Sequence, residues 1–287
     1  MSFSFIFKRA EQKYRVPASA QAGLEALLAE QMAPAEYPHG TNCSLYYDTD
    51  GHDVIIQSME KPEYKEKLRL RSYGVPGEDT IVFIELKKKY RGTTYKRRES
   101  LPYREAVRFL DEGIYPSKDT QIMREIAYFL QQNPVKPSLY IAYDRDSYCG
   151  VRNPDLRATV DHNIRFRTED LSLAAGTSGH LLDLSGDALL EVKAEGSLPL
   201  PLIRGLHKLK LFPESFSKFA TAYAQSMVES GRLAVPAPAA AKADVLVLGN
   251  SGIPTAERIE GEPLSVWGDY LAFADRYKEK ARMTVTA

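Results

Sequence analysis

Along much of this chain a charged residue occupies every second position, with apolar residues between. Lys67-Leu68-Arg69-Leu70-Arg71 shows it most plainly, followed by Glu85-Leu86-Lys87-Lys88-Lys89, by Arg157-Ala158-Thr159-Val160-Asp161 running on to Arg167, and by Glu191-Val192-Lys193. Successive side chains of a strand point to opposite faces, so each segment reads as a strand with one apolar and one charged face.

The rest of the pattern fills in around these strands. Glu11 to Val16, Cys43 to Tyr47 and Tyr64 to Tyr73 read as strands, with turns at Asp48-Thr49-Asp50-Gly51 and Gly74-Val75-Pro76-Gly77. Thr80 to Lys89 and Thr94 to Leu101 read as a hairpin around Arg91-Gly92. Ser138 to Tyr148, Leu156 to Arg167, His180 to Leu184 and Ala188 to Ala194 complete the strands. Helical spacing places a helix capped by Ser19 through Leu24, Leu27, Leu28 and Met32, and another from Tyr103 to Glu112. A third is capped by Asp119 and carries Ile122, Ile126, Phe129 and Leu130. Leu202 to Leu211 and Ser215 to Val228 read as the last helices of the body.

Strands and helices do not alternate regularly, which disfavours a doubly wound parallel sheet and points to an α+β fold with an antiparallel sheet. An antiparallel β tunnel barrel, its apolar face under outer helices and its basic face lining a lumen, satisfies every charged strand at once and removes exposed edges. The body spans residues 1–232. Residues 233–287 form a tail that opens on an Ala/Pro-rich linker, Ala234 to Ala243. The tail includes an amphipathic helix over Leu264 to Arg282, around Trp267 and Leu271.

Composition narrows the function. The chain has 287 residues, 44% hydrophobic, enough for a sizeable core. Its 38 basic residues balance 38 acidic ones, so the molecule is not a basic nucleic-acid coat, and any anion site depends on local clustering. The two cysteines, Cys43 and Cys149, lack metal-site spacing and read as reduced thiols. No run approaches the ~18 apolar residues of a membrane span. A cytoplasmic protein is the expectation, with no membrane span of its own and compatible with a membrane-protein partner.

One alternating charged strand is ordinarily a solvated sheet face. Several together, rich in arginine, suit a polyphosphate, because guanidinium forks match phosphate oxygens. Like charges ~4 Å apart cost on the order of 4 kcal/mol at an effective dielectric near 20, so a bound anion or nearby carboxylates must offset such a lining. Glu11, Glu66, Glu85, Asp161 and Glu191 are the carboxylates available. There is no GxxxxGK[ST] loop, no GxGxxG and no HExxH. Ser217-Lys218 stands at a helix start, which reads as a cap or as an anion site.

The segments Tyr64 to Gly74, Phe83 to Lys89, Tyr95-Lys96-Arg97-Arg98, Tyr143-Asp144-Arg145, Leu156 to Asp161, Leu190 to Lys193 and Ser215-Phe216-Ser217-Lys218-Phe219 resemble the VTC domain. That domain belongs to the CYTH, or triphosphate tunnel, superfamily. The resemblance covers roughly residues 5–228 and implies a tunnel barrel that makes polyphosphate from ATP with release of ADP, using Mn²⁺ or Mg²⁺. By similarity Arg69, Arg71, Lys87, Arg157 and Lys218 act on the transferring phosphates. Lys13, Lys67, Arg145, Lys193 and Ser217 bind the chain, with Arg97, or Lys96 if the register differs by one residue. Glu191 holds the metal, with Glu85 and Glu11 as further candidates. Substrates are ATP and polyphosphate, pyrophosphate or triphosphate, and no nucleic acid. The first strand departs from the superfamily's ExExK, keeping only Glu11-x-Lys13. A triphosphatase on the same tunnel and a non-catalytic polyphosphate sensor are the alternatives.

Overall fold

A computed structural model describes residues 9–60, 62–91 and 93–232. The expected linker and tail helix lie outside the described residues. Among the described residues nine strands form one antiparallel sheet: β1 (Arg9–Val16), β2 (Met32–Asp48), β3 (Tyr64–Tyr73), β4 (Ile81–Tyr90), β5 (Thr93–Pro102), β6 (Lys136–Gly150), β7 (Arg157–Arg167), β8 (His180–Leu181) and β9 (Ala188–Glu195). The hydrogen-bonded order is β1-β9-β7-β6-β2-β3-β4-β5, with β8 beside β7. The helices are α1 (Ala18–Gln31), α2 (Asp53–Met59), α3 (Tyr103–Glu112), α4 (Gln121–Gln132), α5 (Leu200–Lys208) and α6 (Lys218–Glu229). The sheet belongs to the compact unit Met1–Met227.

The apolar face of the sheet carries the core, in two clusters. Leu68, Leu70, Ile84, Leu86 and Tyr140 pack with Phe109 of α3 and Met123, Ile126 and Phe129 of α4. Val16, Val160, Leu190 and Val192 pack with Leu24 and Leu28 of α1 and Leu202 and Leu206 of α5. Gly205 lets those two helices approach. A Cβ there would stand 2.2 Å from the Leu27 side chain, inside van der Waals contact.

The α+β class, the antiparallel sheet and the outer helices are as the pattern predicts. Barrel closure is not complete: among the described residues no ladder joins the edge strands β1 and β5. Instead the chain before α6 runs beside β1, where Tyr14 bridges Pro213 and the Glu214 N–H donates to the Lys13 carbonyl.

Several boundaries differ for local reasons. β2 begins at Met32, well before Cys43, because a register shift between Pro34 and His39 takes up its prolines, which cannot donate to a ladder. Helix α2 was not expected; the Asp48 carboxylate caps it, accepting from the N–H groups of Val54 and Ile55. Pro17, not Ser19, precedes α1, and its start has no side-chain cap. Thr120, not Asp119, caps α4, its hydroxyl accepting from the Met123 N–H. Helix α6 starts three residues later than Ser215, and β8 is two residues long.

Candidate active site on the charged face of the sheet

Residues directly opposed across a ladder share a face, so the register alone assembles the site. Glu11 opposes Lys193, and Lys13 opposes Glu191. Arg157 opposes Lys193, and Thr159 opposes Glu191. Arg145 opposes Asp161. Tyr46 opposes Arg69, and Ser44 opposes Arg71. Arg69 opposes Glu85, and Lys67 opposes Lys87. Glu85 opposes Arg98, and Lys87 opposes Lys96. All of these lie on the face turned away from the helix-covered core.

Two buried carboxylates organise the cations. Glu85 is 1% exposed. Its Oε2 accepts from Arg69 Nε at 2.7 Å and lies 3.9 Å from Arg71 Nε. Its Oε1 is 2.5 Å from Lys96 Nζ and 3.4 Å from Arg98 Nε. Burial opposes its charge, but Arg69, Arg71 and Lys96 outweigh that and hold the carboxyl at about 2. Asp161, also 1% exposed, takes both forks of Arg145 at 2.6 and 2.8 Å and Lys218 Nζ at 2.5 Å. Burial again works against the charge, and Lys218 and Arg145 keep the carboxyl below its ordinary value.

Aromatic and hydroxyl groups hold the cations in place. Tyr46 accepts from Arg69 at 3.0 Å, and Tyr143 accepts from Arg71 at 3.1 Å. Lys218 stands 4.6 Å over the Tyr143 ring. The start of α6 crosses this face. Lys13 donates to the Phe216 carbonyl at 3.1 Å, and Phe219 stacks on Tyr46 at 4.3 Å between ring centroids. Lys67 reaches Ser217 Oγ at 3.5 Å. Burial, reinforced by Lys65, Lys87, Lys13 and Arg69, pushes the Lys67 ammonium down to about 7.

The expected residues come together with one exception. Arg69, Arg71, Lys87, Arg157, Lys218, Lys13, Lys67, Lys96, Arg145, Lys193, Ser217, Glu191, Glu85 and Glu11 share this face or stand against it. Arg97 does not: it opposes Leu86 and donates to Glu125 of α4 at 2.9 Å, on the helix side. Lys96 takes the inward position, and so does Arg98, which was not expected. Tyr46 and Tyr143 were missed as well; their signal was strand alternation beside the basic positions.

The carboxylates expected to hold metal are differently occupied. Glu85 is surrounded by four cations. Glu191 is paired with Lys193; burial opposes its charge, and Lys193 and Lys13 hold it at about 2. Glu11 is 3.6 Å from Lys13. Among the described residues no three His, Cys, Asp or Glu side chains form a group able to hold a metal ion by themselves. A donor set of one or two carboxylates fits Mg²⁺ or Mn²⁺ that arrives already bound to phosphate oxygens.

The family model of the VTC domain matches residues 8–227, the whole of this sheet and nearly all of α6. The chain belongs to the VTC domain family. Subunit 4 of the vacuolar transporter chaperone complex of Schizosaccharomyces pombe is 24% identical over 220 residues, an alignment covering 61% of this chain and 30% of the relative. This VTC-domain chain thus spans under a third of that relative's length. Among solved structures, a protein of Hippeastrum with a dominant triphosphatase activity is 17% identical over 80% of this chain and 98% of its own, with a TM-score of 0.42. A candidate adenylate cyclase of Bacillus halodurans is 15% identical over 79% and 91%, with a TM-score of 0.39. Likeness at that level says nothing of the reaction.

Proposed function

We propose that this VTC domain is a polyphosphate polymerase, transferring the γ-phosphoryl group of ATP to the end of a polyphosphate chain with release of ADP. One observation carries the choice of acceptor. Three carboxylates on the charged face are taken up in ion pairs, Glu85 with Arg69 and Lys96, Asp161 with Arg145 and Lys218, and Glu191 with Lys193, and these cations hold Glu85 and Glu191 at about 2. Such groups are weak bases and do little to activate water. A phosphate chain end is already anionic and needs no base. The same cations position the chain and stabilise the charge that spreads over the transferring group.

Lys13, Lys67, Arg69, Arg71, Lys87, Lys96, Arg145, Arg157, Lys193, Lys218 and Ser217 bind the phosphates in this reading. Glu191 holds Mn²⁺ or Mg²⁺, which neutralises phosphate charge when bound. Glu11 is a second candidate ligand, and Glu85 serves to align cations. The Schizosaccharomyces pombe relative is a subunit of a complex, and work with partner subunits belongs to the same proposal. No helix among the described residues is long and apolar enough to cross a membrane.

Phosphorus NMR of the protein with ATP and Mn²⁺ tests this. Growth of internal-phosphate signal with stoichiometric ADP is expected. Glu191→Gln lowers the rate by at least the roughly 10–100-fold that losing even an outer partner of a metal ligand costs. Orthophosphate as the sole product makes the protein a triphosphatase. Tight polyphosphate binding with unchanged ATP makes it a sensor.

A further inference from the structure

The rings at ladder-paired positions on the charged face include Tyr46, Tyr143, Phe83, Phe166 and Tyr73. Tyr46 and Tyr143 are buried among the cations already described, and Phe83 is half-buried. Tyr73 alone is exposed, at 58%. It ends β3, two residues beyond Arg71 on the same face, a rise of ~7 Å along the strand. Tyr64, Tyr90 and Tyr95 fall on the opposite, helix-side face, in line with Lys88.

Tyr73 is held in place. It meets Phe83 edge to face, with centroids 5.7 Å apart. Arg98 donates to its hydroxyl at 3.2 Å while lying 3.5 Å over the Phe83 ring. Arg98 also faces Glu85, the carboxylate that gathers Arg69, Arg71 and Lys96. The ring platform is therefore continuous with the densest part of the cation cluster. At the other end of β3, α6 covers the charged face: Phe219 packs on Tyr46 and Lys67, and Tyr223 meets His52. Lys218, the first residue of that helix, reaches Tyr143 in the ladder row of Tyr73, while Tyr73 itself stays open to solvent.

We infer that Tyr73, braced by Phe83 and Arg98, is a stacking platform for the base of a nucleoside triphosphate whose phosphates lie at Arg71, Arg98 and Lys96. The inference rests on the phosphate-binding reading above and adds which mouth receives the nucleoside. A ribose spans the gap between an α-phosphate beside Arg71 and a ring over Tyr73. An inorganic polyphosphate has no ring to place there. The platform thus separates the donor nucleotide from the polymer, which the phosphate contacts alone do not distinguish.

Calorimetric titration of the full chain with ATP and with inorganic tripolyphosphate, each with Mg²⁺, tests it in three proteins: wild type, Tyr73→Ala and Tyr73→Phe. Losing one base–aromatic stack weakens binding by about 5- to 150-fold. Tyr73→Ala should lose that much affinity for ATP and keep tripolyphosphate within about twofold, which also shows that the variant is folded. Tyr73→Phe keeps the ring and should bind ATP within a few-fold of wild type. An equal loss for both ligands, or no loss for ATP, overturns the platform. A wild type that binds both ligands but releases no ADP overturns the polymerase reading and leaves the platform standing.

Discussion

At the scale of single residues, Glu85 decides whether this face is tolerable without ligand. It sits under four cations that would otherwise repel one another in a partly desolvated place. Removing one partner of a buried ion pair typically costs 3–5 kcal/mol, because the other partners stay buried and unpaired. Glu85→Gln should therefore lower stability by about that amount in denaturant titration, and tripolyphosphate should restore more of it than in wild type. Its pH signature follows from the depressed carboxyl. The stabilisation is fully present above the ordinary value of 4.5 and disappears as pH falls towards about 2. Wild type should lose stability in that window more steeply than Glu85→Gln, and parallel curves would show that the carboxylate carries no such load.

At the scale of one element, β5 shows what register does. Three basic residues in a row, Lys96-Arg97-Arg98, cannot all face one way. The ladder with β4 turns Lys96 and Arg98 to the cation cluster and Arg97 to α4. Lys96→Ala should cut kcat/KM by about 10- to 150-fold, as expected for a charged hydrogen bond to substrate worth about 1.5–3 kcal/mol. Arg97→Ala should leave it within about twofold and cost under ~1 kcal/mol of stability, since it removes a part-exposed ion pair with Glu125. Reversed effects would mean that β5 is shifted by one residue. Sequence alone left this pair open because a one-residue slip flips every side chain, and consecutive charges give no alternation by which to choose.

At the scale of the whole molecule, Lys67 titrates as it does because distant segments meet. Lys13 of β1, Lys87 of β4 and Lys65 of its own strand surround it while α6 buries it. Below about pH 7 Lys67 is charged in folded and unfolded chains alike. Between about 7 and its ordinary 10.5 the unfolded chain holds a proton that the native one lacks, so this group's contribution to stability rises with pH there. A bound polyanion reverses the repulsion and raises the ammonium again. Binding above pH 7 should then take up a proton, and tripolyphosphate affinity should fall as pH rises, by at most about tenfold per unit. Calorimetry in buffers of different ionisation enthalpy reads the uptake directly. Lys67→Arg, which stays charged, should abolish it, and an unchanged uptake in that variant would assign the proton elsewhere.

Local alternation was enough to mark the strands from Tyr64 to Arg71, the β4–β5 hairpin, β7 and β9, and to say which of their faces was charged. It was enough because strand periodicity is written residue by residue, whatever the neighbours do. It also reached Lys67, Arg69, Arg71, Lys87, Arg157 and Lys193, whereas Lys13, Lys96, Arg145 and Lys218 were assigned to the site by the family resemblance and Arg98 was missed. It failed where a tertiary partner overrides a local signal: β2 runs through prolines because β6 pairs on either side of its bulge, and α2 forms because Asp48 reaches forward to cap it. Which carboxylates the cations share, which way β5 faces, that the strand edges are not joined, and that Tyr73 ends in the open were decided by the folded sheet alone. Each depends on atoms far apart in the chain whose distances no spacing along the sequence encodes.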